Sequence, residues 1–222
     1  MILAAGRGER MRPLTDTAPK PLLKVRGQSI IEWTITRLAR GGIVELVINY
    51  SHLGALIEAA LGDGGRLGVS IRYSPEIEAL ETAGGIAKAL PLLVPGPFVA
   101  VNGDILCDFD FATLRGRELG DNLAHLVLVA NPAHHPEGDF ALCGEQAWDE
   151  GAPRWTFSGI GLYRPELFES VRPGDKAKLA PLLRAAMTRG LVTGEIHGGQ
   201  WHDVGTPERL DHLNRSLGAR RA

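Results

Sequence analysis

The 222-residue chain is 44% hydrophobic and 23% charged, the profile of a soluble globular protein long enough for one well-buried α/β core. Its 24 basic and 26 acidic side chains leave a net charge of −2, which argues against nucleic acid or an anionic membrane as the main partner. No apolar stretch is long enough to span a bilayer, the start has no basic leader, and two cysteines, Cys107 and Cys143, are too few for a disulfide framework. The cytoplasm is the expected compartment.

Met1–Ala5 reads as the first strand, and a loop holding Gly6, Gly8 and three arginines follows it. Ile30–Ala39 carries apolar residues at Ile31, Ile35 and Leu38 and closes on Gly41-Gly42, the pattern of a helix with a glycine stop. Glu45–Tyr50 is a second strand, and Leu53–Leu61 a second helix ended by Gly62-Asp63-Gly64-Gly65. Val69–Tyr73 is the next strand, a helix runs from about Gly85 to Leu90 before Pro91, and Phe98–Asn102 and His125–Ala130 are further strands. These strands are apolar nearly throughout, as when both faces of a parallel sheet are covered. Beyond residue 130 the pattern loosens. Asn131–Asp139 reads as a loop, Trp155–Tyr163 and Val192–His197 as strands, and Leu179–Arg189 and Pro207–Leu217 as helices, the last with Pro207 at its first position.

Strand alternating with helix implies right-handed crossovers. The expected fold is α/β, a single doubly wound, mostly parallel sheet of Rossmann-like type with helices on both faces in three layers. No linker or repeat interrupts residues 1–222, so one domain is expected, its second half built out over the sheet.

The segment from Leu3 to Thr15, with Pro19-Lys20-Pro21-Leu22 behind it, carries the most information. Glycines let backbone N–H groups approach phosphate oxygens closely, and Arg and Lys side chains neutralise a triphosphate. A Walker A loop would need Gly-Lys-Ser/Thr, and a dinucleotide fingerprint a third glycine where Met11 stands, so both are excluded. Alone, Gly6-x-Gly8 fits a plain strand-to-loop turn equally well, and Arg7 and Arg10 fit solvated loop charges.

A second signal is Asn102-Gly103-Asp104 at the C-terminal end of a buried strand, where ligands of open α/β sheets sit. A carboxylate there either caps the following turn or joins Mg²⁺, which takes one or two protein carboxylates and completes its shell from phosphates and water. A third is Trp201-His202-Asp203-Val204-Gly205-Thr206, in which Thr206 reads as a helix N-cap. A fourth is the polar loop Tyr73-Ser74-Pro75-Glu76 with the small residues of Leu80-Glu81-Thr82-Ala83-Gly84-Gly85. His134-His135 lacks a partner at metal-ligand spacing and reads as a surface loop.

These motifs together resemble the sugar-1-phosphate nucleotidylyltransferase family, whose signature is an apolar strand, Gly-x-Gly-x-Arg-Met/Leu-x-Pro and Pro-Lys-Pro-Leu, with Trp-x-Asp-x-Gly-Thr near the end. The resemblance implies an enzyme joining a nucleoside triphosphate to a sugar 1-phosphate with release of pyrophosphate. It implies that Leu3, Ala4, Ala5, Gly6 and Gly8 wrap the nucleotide phosphates, with Arg12 and Lys20 at the reacting α-phosphorus and Asp104 and Asp203 holding Mg²⁺. Residues 1–130 would form the nucleotide-binding half and 131–222 the sugar-phosphate-binding half. Glu76 and Gly84 would serve the nucleobase side, Glu76 as acceptor of a uracil N3–H or else as an exposed loop carboxylate. Glu81, Thr82, Asn102, Gly138, Asp139, Ser158, Gly159 and Lys178 would line the sugar side, with Lys176 as the alternative to Lys178.

Many family members carry Gly where this chain has Glu81. The Leu-Glu-Thr-x-Gly-Gly variant resembles the branch that acts on N-acetylmuramate 1-phosphate with UTP in cell-wall recycling. Rival readings are a mannose- or glucose-1-phosphate guanylyl- or thymidylyltransferase and a non-catalytic nucleotide-sugar binding module. Nothing in the sequence fixes the oligomeric state, and a monomer is the favoured expectation.

Overall fold

The structure, a computed structural model, describes residues 1–216. Its first half runs β1 (Ile2–Leu3), a short hairpin of β2 (Lys24–Val25) and β3 (Gln28–Ser29), then α1 (Ile30–Arg40), β4 (Glu45–Tyr50), α2 (Gly54–Leu61), β5 (Ser70–Pro75), α3 (Glu81–Ala89) and β6 (Phe98–Asn102). The second half contains β7 (Ile105–Cys107), the single turn α4 (Ala112–Arg115), β8 (Ala124–Val129), β9 (Phe140–Cys143), β10 (Gln146–Trp148), β11 (Arg154–Tyr163), α5 (Leu179–Met187), β12 (Val192–His197), β13 (Trp201–Asp203) and α6 (Pro207–Ser216). The expected terminal residue Leu217 lies outside the described residues.

Nine strands form one sheet in the order β5-β4-β1-β6-β11-β8-β12-β10-β9. From β5 to β6 every pairing is parallel, with Ile2 opposite Ile48 on one side and Val101 on the other. Beyond β6 the expectation of a mostly parallel sheet is corrected. β11 runs antiparallel to both β6 and β8, β10 runs antiparallel to β12 and β9, and only β12 with β8 is parallel. The cause is the connection. Parallel neighbours need a crossover of a dozen or more residues, usually helical, whereas β8 returns to β11 through the β9–β10 hairpin with no helix between.

Successive strand residues feed opposite faces of the sheet, and here both faces are packed. Phe98 and Ala100 of β6 join one apolar cluster with Ile86 of α3 and Leu183 and Met187 of α5. Val99 and Val101 join a second with Ile31, Ile35 and Leu38 of α1 and Ile57 and Leu61 of α2. This two-sided burial is why the strands carry apolar residues at consecutive positions. Helix α1 starts where its sequence says it should. The Ser29 hydroxyl accepts from the Glu32 N–H at 3.4 Å and Glu32 Oε2 accepts from the Ser29 N–H at 3.1 Å, a reciprocal capping box.

Two further features serve the site. Met11, Val25 and Ile30 form a third cluster with Val204, Leu210 and Leu213, so α6 and the segment before it are packed against the N-terminal loop. The short strands β7 and β13 pair antiparallel with Asp203 opposite Ile105, and the Val204 N–H donates to the Asp104 carbonyl at 2.9 Å. Two segments 99 residues apart in the chain are thereby laid side by side. Among the described residues, no helix is long and apolar enough to cross a membrane.

Candidate active site

A cleft of about 560 Å³ opens beyond the C-terminal ends of β1 and β6. Leu3, Ala4, Ala5, Gly6, Gly8, Lys20, Glu81, Thr82, Asn102 and Asp104 all line it, as do Arg7, Arg10, Asn49 and Gly205. The loop after β1 is held by side chains at the end of β4 and just beyond it. The Ala4 N–H donates to Asn49 Oδ1 at 3.0 Å, and the Ser51 hydroxyl donates to the Ala5 carbonyl at 2.7 Å. Gly8 adopts φ +67°, and a Cβ there would lie 3.0 Å from Thr15 Cγ2 and 3.1 Å from Lys20 Cβ. Glycine is required on both counts. At Gly6, by contrast, no atom lies within 4 Å of a built Cβ, so that stretch of backbone is open to an incoming group.

Lys20 is buried to 8% exposure on the turn Lys20–Leu22, with its Nζ 2.5 Å from Asp104 Oδ2. Asp104 follows Gly103, whose N–H donates to the Leu3 carbonyl at 2.8 Å. A Cβ on Gly103 would stand 2.9 Å from that carbonyl, so the glycine permits β6 and the loop to meet closely. Asp203 lies on the neighbouring strand. Its Oδ2 is 2.5 Å from an Arg209 guanidinium nitrogen, and its Oδ1 is 3.3 Å from His134 Nε2. The same Oδ2 is 3.2 Å from where a Cβ on the cleft residue Gly205 would be, while Asp203 itself lines a second cavity with His134, His202 and Arg209. His202, half-buried beside Asp203, has its pKa lowered first by desolvation and then by nearby His212, which keeps its imidazole neutral at pH 7.

Other expected residues stand elsewhere. The Arg12 guanidinium pairs with Asp16 at 3.3 Å, half exposed, and does not line the cleft, whereas Arg10 does. One short turn, Glu9–Met11, explains the exchange. Met11 is wholly buried among Val204 and Leu210, which leaves its two flanking arginines on different sides. Glu76 is not an exposed loop carboxylate. It is buried at 5% exposure, and its oxygens accept from Asn49 Nδ2 at 2.7 Å and the Leu80 N–H at 2.8 Å. Gly84 packs α3 against residues 175–177, where a Cβ would lie 2.2 Å from the Asp175 carbonyl, and its N–H goes to the Ala177 carbonyl. It faces away from the cleft.

On the expected sugar side, Gly138 and Asp139 sit in a turn outside the cleft, with Asp139 accepting from the Phe157 N–H at 2.8 Å and pairing with His135 at 3.2 Å. Ser158 is buried at 1% exposure, donating to the Val127 carbonyl and accepting from the Ile160 N–H, which shapes a bulge in β11. Gly159 in that bulge has φ +80°, and a Cβ there would lie 2.5 Å from Asn102 Nδ2. It therefore makes room for a cleft residue without being one. Lys178 is exposed at the N-terminal cap of α5, and Lys176 pairs with Glu78 at 2.9 Å; neither lines the cleft. The Lys176 pKa is raised by its hydrogen bond to Glu78.

Arg7, Arg10, Asn49 and Gly205 line the cleft as additions to the sequence reading. Asn49 had a signal, a lone amide in the otherwise apolar run Leu46–Ile48, since a buried polar group needs partners. Arg10 had one too, since it is the arginine of the Gly-x-Gly-x-Arg-Met signature, in which Arg12 fills the variable position. Among the described residues no three His, Cys, Asp or Glu side chains gather into a complete metal-binding set. Asp104 opens to the cleft and Asp203 lies two residues before the cleft residue Gly205, and two carboxylates are a donor set that suits Mg²⁺ sharing its shell with phosphates. Each is held at present by a cation, Lys20 or Arg209, that such an ion would displace.

A glycine loop after β1, a buried lysine and a carboxylate at the end of a parallel strand define a nucleotide-phosphate-handling α/β protein. The family model for nucleotidyl transferases matches residues 1–142, and the chain belongs to that family. It is 53% identical to the N-acetylmuramate alpha-1-phosphate uridylyltransferase of Neisseria meningitidis serogroup B, over 99% of this chain and 98% of that one. It is 31% identical to the enzyme of the same name from Caulobacter vibrioides, over 94% and 92% of the two chains. A solved structure from Bacillus anthracis, assigned as a glucose-1-phosphate thymidylyltransferase, superposes with a TM-score of 0.84 at 23% identity, covering 100% of this chain and 94% of its own.

Proposed function

We propose that the protein transfers the uridylyl group of UTP to N-acetylmuramate 1-phosphate, giving UDP-N-acetylmuramate and pyrophosphate in cell-wall recycling in the cytoplasm. The observation that carries the reading is the identity of more than half of all residues, over nearly the full length, with a relative named for that reaction. The cleft supports it, since loop glycines, Lys20, Arg10 and Asp104 face one space.

The attacking sugar phosphate oxygen is already an anion at neutral pH, so no general base is required. The barrier lies in bringing two polyanions into line, which positioned cations and N–H donors lower. In this reading the Ala4–Gly8 backbone and Lys20 hold the nucleotide phosphates, Arg10 takes the place expected for Arg12, and Glu81, Thr82 and Asn102 face the sugar. Asp104 and Asp203 would hold Mg²⁺, which when bound neutralises phosphate charge at the reacting centre. The single domain would divide as expected, though among the described residues after 130 the cleft is lined by Gly205 and not by Gly138, Asp139 or Lys178. The two apolar clusters on opposite sides of the sheet support reading it as the middle of three wound layers.

Pyrophosphate release measured for UTP, TTP, GTP and CTP against muramate, glucosamine, glucose and mannose 1-phosphates tests the proposal. The expected maximum is UTP with N-acetylmuramate 1-phosphate. A maximum with GTP and mannose 1-phosphate would overturn the substrate reading, and saturable nucleotide binding without product would overturn the enzyme.

A further inference from the structure

Glu76 is a buried carboxylate that, among the described residues, pairs with no cation. Holding an anion out of water on neutral donors alone is costly, so the arrangement calls for a reason. Its two oxygens are each fully committed. Oε1 accepts from Asn49 Nδ2 at 2.7 Å, and Oε2 accepts from the Leu80 N–H at 2.8 Å. Asn49, itself only 2% exposed, uses its other amide atom to accept from the Ala4 N–H at 3.0 Å. A continuous chain therefore runs Ala4, Asn49, Glu76, Leu80.

The two ends of that chain lie at two separate segments of the cleft lining. Ala4 belongs to the loop after β1 and itself lines the cleft, and Leu80 directly precedes Glu81 and Thr82, which line it too. Leu80 is fixed at both of its backbone groups, since its carbonyl accepts from the Ala177 N–H at 3.0 Å. The next residue, Glu81, takes φ +62°, a conformation that non-glycine residues keep only where their surroundings impose it. Gly85 leaves the space in which the chain is made. A Cβ there would lie 2.6 Å from Asn49 Nδ2 and 2.7 Å from Glu76 Oε1.

We infer that Glu76 is a positioning residue, tying the nucleotide loop to the start of α3 and setting the distance between the two bound reactants. The inference rests on the proposed transferase reading for its kinetic consequence, but not for its structural one. Only a carboxylate can accept from both sides. Glutamine at this position offers one acceptor and must turn an N–H toward either Asn49 or Leu80. Small displacements of reacting groups are costly in rate, so a loosened brace is read in turnover.

Glu76→Gln is compared with wild type by amide hydrogen exchange and by steady-state kinetics. The expected result is faster exchange at both the Leu80 and the Ala4 amides, although Ala4 is bonded to Asn49 and not to Glu76. With it comes a fall of about tenfold or more in kcat, with KM raised for both substrates. Faster exchange at Leu80 alone, or kcat and both KM values within about twofold of wild type, would overturn the inference. The double variant Glu76→Gln/Asn49→Asp restores one donor per acceptor along the chain, with the amide and the carboxylate exchanged. It is expected to fold and to recover protection at Ala4, and a double variant with Ala4 no better protected than in the single overturns the brace. If wild type releases no pyrophosphate with any substrate pair, the transferase reading has failed, and the two exchange rates alone decide the brace.

Discussion

Lys20 Nζ and Asp104 Oδ2 stand 2.5 Å apart, so the cation proposed for the nucleotide phosphates and the carboxylate proposed for the metal hold one another across the cleft. Lys20 is nearly buried while Asp104 is a third exposed, which makes the lysine the fixed partner and the carboxylate the accessible one. Replacing Lys20 by Met keeps most of the side-chain volume and removes the charge. Turnover should fall by about 10²- to 10³-fold, the usual loss of one preorganised group facing transition-state charge. With its partner gone, Asp104 should bind a divalent ion more tightly in the absence of nucleotide, measured by titration with Mn²⁺. A Lys20→Met enzyme with a near-normal rate would remove Lys20 from the reaction.

The carboxylates themselves are the next test. Asp104→Asn and Asp203→Asn preserve shape and should each lower turnover by orders of magnitude at saturating Mg²⁺, with circular dichroism unchanged. Asp203→Asn also gives up its ion pair with Arg209 and its contact with His134. Those groups are partly exposed, so the accompanying loss of stability should stay near 1 kcal/mol or below. Chelation with EDTA should stop pyrophosphate release and added Mg²⁺ should restore it. Full activity in EDTA would end the metal assignment.

The parts of this molecule that could be read ahead of its structure are those encoded by local pattern. The Ile31, Ile35, Leu38 stripe and the run Glu45–Tyr50 appear as a helix and a strand where expected, because burial on both sheet faces leaves its mark residue by residue. Helix α3 starts at Glu81, earlier than expected, because its glycines are tolerated by close backbone packing on residues 175–177, a contact made far along the chain. The pairing of β7 with β13 is invisible locally for the same reason, and with it the approach of Asp203 to the cleft. The antiparallel direction of β11 has no local signature, since a strand covered on both faces looks alike in either direction.

Arg10 and Arg12 can be separated by the same kinetics. Arg10 lines the cleft, whereas Arg12 lies half exposed against Asp16. Arg10→Ala should lower kcat/KM for the nucleotide by about 10²-fold, in line with loss of a charge-assisted phosphate contact. Arg12→Ala should stay within a few-fold of wild type, since exposed ion pairs contribute little. The reverse ranking would return the catalytic role to Arg12 and show that the loop rearranges when nucleotide binds.

Glu81 separates strain from recognition. At φ +62° it occupies the left-handed region, which costs a non-glycine residue on the order of 1–2 kcal/mol. Glycine would relieve that strain but would lose about 0.5–1 kcal/mol through the greater freedom of its unfolded chain. The two terms nearly cancel, so Glu81→Gly should shift the melting temperature by only a few degrees, and in the upward direction. Activity should respond differently, because the substitution also strips a carboxylate from the cleft wall. If that carboxylate accepts hydrogen bonds from sugar hydroxyls, KM for N-acetylmuramate 1-phosphate should rise about tenfold, the equivalent of one hydrogen bond to a charged group, while KM for UTP stays the same. A rise in melting temperature with both KM values unchanged would mean that the strained backbone serves packing against Ala177 and that Glu81 takes no part in choosing the sugar.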